Sequence, residues 1–174
     1  MPFIDLLLNR RSKRKFKSDN IEDEKIELLI ASALLSPSGK KKNHWDFIVV
    51  RESESLEKLS LCKPHSASLI ASAPLAIVVV GDPSVSDTWI EDCSIASIIV
   101  QLEAEDLGLG SCWVQVRNRV HENEQPSAEY IKSLLGIPSS KEVLSVIAIG
   151  YPDEQKKPND LKNLMFEKIH HEKF

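Results

Sequence analysis

The sequence predicts an α+β fold in which a buried sheet lies between helices. Three observations lead there. Apolar runs at residues 47–50, 75–80 and 143–149 read as strands, and residues 111–117 read as another. Stretches of helical apolar spacing separate them, the longest over residues 87–107. The chain of 174 residues has 42% apolar residues, enough for a sizeable core, and shows no repeat, low-complexity tract or second domain, so residues 1–174 are read as one domain.

Taken in order, Pro2 opens a short helix over residues 3–8, since proline is tolerated at a first helical position. Ser18-Asp19-Asn20 reads as the entry to a second helix, whose apolar stripe is Ile26, Leu29, Ile30, Ala33 and Leu34. Glu22, Asp23 and Glu24 fall in its first turn, where the helix dipole favours them, and it stops near Ser36 ahead of Pro37. Residues 36–45 form a loop that ends at Trp45, where the first strand begins. Ser53 is the expected cap of a helix through Leu61, and residues 66–71 form another short helical piece. Pro74 precedes the second strand, and Gly81-Asp82-Pro83 turns the chain. Over residues 87–107, Trp89, Cys93, Ile95, Ala96, Ile98, Ile99, Val100 and Leu102 leave only a narrow polar side, which places this helix in the core or at a subunit interface. Gly108 ends it. Ser127 opens a further helix that ends at Gly136, Gly150-Tyr151-Pro152 closes the last strand, and the charged tail carries one helix near residues 161–169.

The net charge of −4 argues against nucleic acid as the main partner. Within this acidic chain the run Arg10-Arg11-Ser12-Lys13-Arg14-Lys15-Phe16 is a local concentration of cations. Guanidinium forks match phosphate oxygens, and the short Ser12 side chain lets the backbone approach a ligand. Alone, such a run reads as a solvated face or a polyanion arm. The acidic remainder points instead to a small anionic ligand, with Phe16 anchoring the run to the core. Cys62, Cys93 and Cys112 are odd in number and widely spaced, with no Cys-x-x-Cys pair and no histidine at metal-ligand spacing. Reduced thiols, a cytoplasmic location and no metal site are expected. The first apolar run is too short for a signal peptide and is followed by arginine, and no apolar stretch is long enough for a membrane span. Gly39-Lys40 lacks phosphate-loop spacing, and neither of the first two strands is followed by Gly-x-Gly-x-x-Gly, which excludes a dinucleotide fold.

The ordered set of motifs resembles the nitroreductase family of flavin enzymes. The residues that carry the resemblance are Arg10-Arg-Ser-x-Arg14-x-Phe16, Ser36-Pro-Ser38 with Trp45, Asp92-Cys-Ser-Ile-Ala96 through Gly108-Leu-Gly-Ser-Cys-Trp113, and Ala148-Ile-Gly-Tyr-Pro152 with Lys156-Lys157-Pro158. They span nearly the whole chain in family order. The resemblance implies a nitroreductase-like fold with a central, mostly antiparallel sheet flanked by helices, and a homodimer with two FMN sites at its interface. Carried over residue by residue, Arg10, Arg11 and Ser12 hold the FMN phosphate and ribityl chain, and Arg14 reaches the N1/C2-carbonyl edge of the ring. A fixed cation there suits the negative charge of reduced flavin. Pro37, Ser38 and Gly39 come from the partner subunit, with Lys41 standing where the family has a loop Asn and Asn43-His44 where it has Gln-Pro. Trp113, Val114, Gln115 and Val116 pass the ring face, Gln115 standing at a position that is often Gly. Gly150 and Lys156 or Lys157 complete the phosphate end. His65 falls where some relatives make a polar contact to the pyrimidine ring, and Asn159-Asp160-Leu161 stands where many place an arginine.

The function implied is oxidation of NAD(P)H and reduction of an electron-poor small molecule, a nitroaromatic or a quinone, by ping-pong kinetics. The cofactor carries the chemistry, so no catalytic side chain is required. The basic loop Lys40-Lys41-Lys42 favours NADPH through its extra phosphate. Two other readings stay open: a flavin-binding protein without turnover, and a different reductive reaction on the same scaffold, such as dehalogenation.

Overall fold

The computed structural model describes residues 2–174, the side chain of Asn123 excepted. Four strands, β1 (Trp45–Val50), β2 (Leu75–Gly81), β3 (Gly110–Gln115) and β4 (Glu142–Gly150), form one sheet in the order β1-β2-β4-β3, antiparallel throughout. Five helices cover it: α1 (Phe3–Asn9), α2 (Asp23–Leu34), α3 (Ser53–Ser60), α4 (Trp89–Asp106) and α5 (Ser127–Leu135).

Alternation along β2 sets the layers. Leu75, Ile77 and Val79 pack with Leu29 and Ala33 of α2 and Cys93 and Val100 of α4. Ala76, Val78 and Val80 pack on the other face with Leu56 and Leu59 of α3 and Ile131 of α5. A strand covered on both faces has no solvent side to mark with polar residues, hence the continuous apolar run. β4 is equally buried but carries a bulge: Val79 pairs with Ser145 and Val80 with Val143, leaving Leu144 extra. Leu144 and Ser145 therefore both turn toward α4, Leu144 into that core and Ser145 with its Oγ 3.2 Å from Ser97 Oγ. The Leu144 carbonyl accepts from both Val116 N (3.2 Å) and Arg117 N (3.0 Å), which fixes where β3 gives way to its exit loop.

Three boundaries differ from the sequence reading. The second helix starts at Asp23, with Glu22 as N-cap, rather than at residues 18–20. The chain before it is committed elsewhere: Lys17 N donates to Tyr151 O (2.9 Å), Ile21 is buried, and the Tyr151 hydroxyl donates to Glu22 and accepts from Lys25. Ser53 is the first residue of α3 rather than its cap, a place taken by Glu52. In the tail, the expected helix near 161–169 is reduced to two short 3₁₀ turns, Leu161–Asn163 and Phe166–Lys168. Every residue from 155 to 174 is exposed, so no packing surface within this chain supports a helix too short to stand alone.

The central position of α4 is as read, with Cys93, Ala96, Val100 and Ala104 fully buried. Its outer apolar residues are not covered: Ile95 and Ile98 are 39% and 38% exposed, and Phe3, Ile4 and Leu7 of α1 are exposed as well.

Candidate functional site

The basic run after α1 is extended and lies along the start of β3. Ser12 bridges Ser111 in parallel, and Lys13 N donates to Ser111 O at 2.9 Å. The same segment is tied to the chain after β4: Phe16 pairs with Pro152, and Asp153 N donates to Lys15 O at 2.9 Å. Two glycines permit this approach. A Cβ on Gly110 would meet Lys13 Cβ at 2.9 Å, and one on Gly150 would meet Pro74 Cδ at 2.6 Å and Phe16 at 3.0 Å. Gly150 is thus a packing position whose missing side chain is replaced by protein.

The two termini are further joined through polar groups. Glu154 accepts the Arg14 backbone N–H at 2.5 Å and pairs with Lys156 at 2.8 Å. The Arg14 backbone N–H, then Lys156, hold its carboxyl down at about 2. The Arg11 guanidinium donates to the Lys157 carbonyl, and Asn159 N donates to Leu8 O at 2.8 Å. The segments that carry Arg10, Arg11, Ser12 and Arg14 and that carry Lys156 and Lys157 are therefore held side by side. The states of these residues differ: Lys156 is in an ion pair and Arg11 in a backbone contact, while the guanidiniums of Arg10 and Arg14 form no ion pair among the described residues, Arg10 lying within electrostatic range of Glu105.

Along β3, Val114 and Val116 are buried in the core shared with α3 and α5, so only their backbone can meet a ligand. Trp113 and Gln115 point to the α4 side, where Trp113 Nε1 donates to Gln115 Oε1 and Gln115 Nε2 donates to Arg117 O, both at 2.9 Å. Two residues that sequence reasoning did not place in the site belong to its surroundings. Cys112 lies within electrostatic range of both Arg14 and Lys63, and burial pushes its thiol up. Lys63 is partly buried, and desolvation pushes its amine down. His65, two residues on, is exposed.

The loop holding Pro37, Ser38, Gly39 and Lys41 is fastened elsewhere in the same chain, at the start of α4. Gly39 N donates to Asp92 Oδ2 at 2.9 Å, Thr88 Oγ1 donates to the same oxygen at 3.1 Å, and His44 Nε2 lies 2.8 Å from it. Ser38 Oγ accepts from Asn43 N at 2.9 Å. Lys40, Lys41 and Asn43 all take left-handed backbone conformations, with φ of 52°, 55° and 45°. Lys40, Lys41 and Lys42 are exposed and form no ion pair among the described residues. Asp92 was legible only as part of a helix; its role as the loop's anchor needed the fold. Among the described residues, no cluster of three or more His, Cys, Asp or Glu is placed to hold a metal ion, and no helix is long and apolar enough to cross a membrane.

An antiparallel sheet between two helical layers, with a basic strap along one sheet edge, defines the class: a small α+β protein with cations concentrated at one margin of its sheet. The nitroreductase family model matches residues 7–67 and 62–151. An Archaeoglobus fulgidus protein named as an NADH dehydrogenase/NAD(P)H nitroreductase is 37% identical over 157 residues, covering 88% of this chain and 87% of its own. A Methanothermobacter thermautotrophicus protein of the same name is 36% identical over 177 residues, covering all of this chain and 88% of its own. The solved structure of an FMN-dependent nitroreductase from Clostridium difficile R20291 superposes with a TM-score of 0.96 at 44% identity, over 98% of this chain and 99% of that one. The chain belongs to the nitroreductase family.

Proposed function

We propose that the chain is an FMN-dependent NAD(P)H oxidoreductase that reduces an electron-poor small molecule, a nitroaromatic or a quinone. The observation that carries the reading is the pair of guanidiniums in no ion pair among the described residues, Arg10 and Arg14, on an extended strap laid against β3. The residues present fit a phosphate-bearing planar cofactor. Arg10, Arg11 and Ser12 would hold the phosphate and ribityl chain, with Lys157 at the same end and Lys156 as the tie that steadies it through Glu154. Arg14 would face the electron-rich edge of the ring, and the backbone from Trp113 to Val116 would lie along its face. Bound there, FMN supplies two-electron chemistry, accepting a hydride from NAD(P)H and passing two electrons to the acceptor. The chain's own part is to bind, orient and hold positive charge where reduction makes the ring negative. One site serving donor and acceptor in turn gives ping-pong kinetics.

A homodimer follows from the same reading. The exposed apolar residues of α1 and α4, Phe3, Ile4, Leu7, Ile95 and Ile98, form a surface that a second copy would cover. The partner's Pro37–Lys41 loop would then complete each site. Three free cysteines, all buried, accord with a reducing, cytoplasmic setting.

The test is an anaerobic absorbance spectrum of the purified protein before and after NADPH, with the released flavin identified by mass. A yellow protein that releases FMN and bleaches on NADPH is the expected result. FMN that stays oxidised would overturn the oxidoreductase reading in favour of a flavin binder, and failure to take up FMN would overturn the site itself.

A further inference from the structure

Beyond the end of β3 lies a cavity of about 620 Å³ that the flavin reading does not use, within the size range of small-molecule sites. Val116 lines it, so it begins where the track proposed for the ring ends. Its wall carries the Trp89 indole, and the Arg117 guanidinium carbon stands 6.0 Å from the centre of that ring. Arg119 lines the same space, with one nitrogen donating to the neighbouring Asn118 carbonyl. Asn118 turns between the two arginines in a left-handed conformation, φ 57°.

The charges of this cavity do not cancel. Its two carboxylates, Glu129 and Glu142, are both taken by the Lys132 ammonium, each at 2.8 Å. Arg117 and Arg119 have no carboxylate partner among the described residues, and Lys63 lies within electrostatic range of Arg119. A flat apolar wall beside unpaired guanidiniums suits one chemical class. An aromatic ring can lie against the indole while its carboxylate takes a guanidinium fork.

We propose that this cavity is a binding subsite for a planar aromatic carboxylate, which biases the protein toward carboxylated electron acceptors. The bias on acceptors rests on the oxidoreductase reading; the binding does not. Gln115 links the two regions, since its amide receives the Trp113 N–H and donates to the Arg117 carbonyl, holding the first arginine at a set place relative to β3.

The test uses benzoate and its neutral isostere benzamide, titrated by calorimetry into the purified protein with and without added FMN. Benzoate is expected to bind about tenfold tighter than benzamide, and Arg117→Gln with Arg119→Gln to remove that difference by weakening benzoate the more. Added salt should weaken benzoate alone. Equal binding of the two ligands, or benzoate binding unaffected by the double substitution, overturns the proposal. Kinetics with 4-nitrobenzoate and 4-nitrobenzamide separate the two readings. Benzoate selectivity without turnover of either nitro compound, together with a flavin that NADPH does not bleach, keeps the subsite and sinks the oxidoreductase. Turnover of both at equal kcat/KM, with equal benzoate and benzamide binding, does the reverse.

Discussion

His44 Nε2 lies 2.8 Å from Asp92 Oδ2, an oxygen that also receives the Gly39 N–H at 2.9 Å and the Thr88 hydroxyl at 3.1 Å. One buried carboxylate on α4 thus anchors both ends of the lysine loop. Burial pushes the Asp92 carboxyl up, but the hydrogen bonds from His44, Gly39 and Thr88 outweigh it and hold the carboxyl below its ordinary value. Removing the anchor leaves buried donors without partners. Asp92→Ala should lower stability by about 1–3 kcal/mol, read as a drop in Tm. Because the folded value is the lower one, the carboxylate's contribution is full above the ordinary value of 3.8 and fades as pH falls through the depressed one. The Tm gap between the parent and Asp92→Asn should therefore narrow in acid; a gap independent of pH would exclude this role.

Glu154 ties the strap to the segment after β4, and its carboxyl is held at about 2. Stabilisation from this tie is present above the ordinary glutamate value of 4.5 and is lost as pH falls from there toward 2. Glu154→Gln should loosen residues 10–16 and weaken FMN uptake while leaving the sheet intact. Hydrogen exchange checks it, with faster exchange expected at Lys13, Lys17 and Asp153 and no change in β2.

The uncommitted guanidiniums predict a graded loss of cofactor. Arg10→Ala and Arg14→Ala should each weaken FMN binding roughly tenfold to a hundredfold, as expected for one charge-assisted contact. Flavin fluorescence quenching measures it. If Arg14 faces the ring edge as proposed, only its loss should also lower the flavin's reduction potential.

A role of the lysine loop in the choice of donor is open to a direct test. Replacing Lys40, Lys41 and Lys42 together by alanine should raise KM for NADPH about tenfold and leave KM for NADH nearly unchanged. Equal effects on both donors would place the lysines outside the donor's path.

Burial disfavours the thiolate form of all three cysteines. It pushes Cys93 up to about 12 and Cys62 up to about 11, with Cys112 also raised. Native protein should react slowly with a disulfide reagent, and all 3 thiols should appear once it is denatured. A fast single thiol in the native protein would mean that one of these sites opens.

Much of the fold was legible because it rests on local pattern. The run at 75–80 reads as a buried strand because nothing polar marks a solvent face, and 143–149, interrupted only by Ser145, reads as another strand. The apolar stripe of Ile26, Leu29 and Ala33 had to be a helix facing the core. Boundaries slipped where a distant partner decided them: residues 18–20 look like a helix entry, but hydrogen bonds to Tyr151 hold the preceding chain extended. The tail's apolar spacing looks helical, but within this chain nothing covers it.

The site divides the same way. Residue chemistry marked the run from Arg10 to Arg14 as a concentration of cations, and the acidic remainder of the chain pointed it toward a small anionic ligand. Only the tertiary structure showed that Arg11 is spent on the Lys157 carbonyl and that Lys156, from the far end of the chain, is spent on Glu154, while Arg10 and Arg14 form no ion pair among the described residues. It alone brought Trp89 to Arg117 across 28 positions of sequence and gave Asp92 its three donors. The physical reason is range. Helical and strand periodicity are written in neighbouring residues, whereas the pairing of a charge depends on groups that only the folded chain brings within a few ångströms.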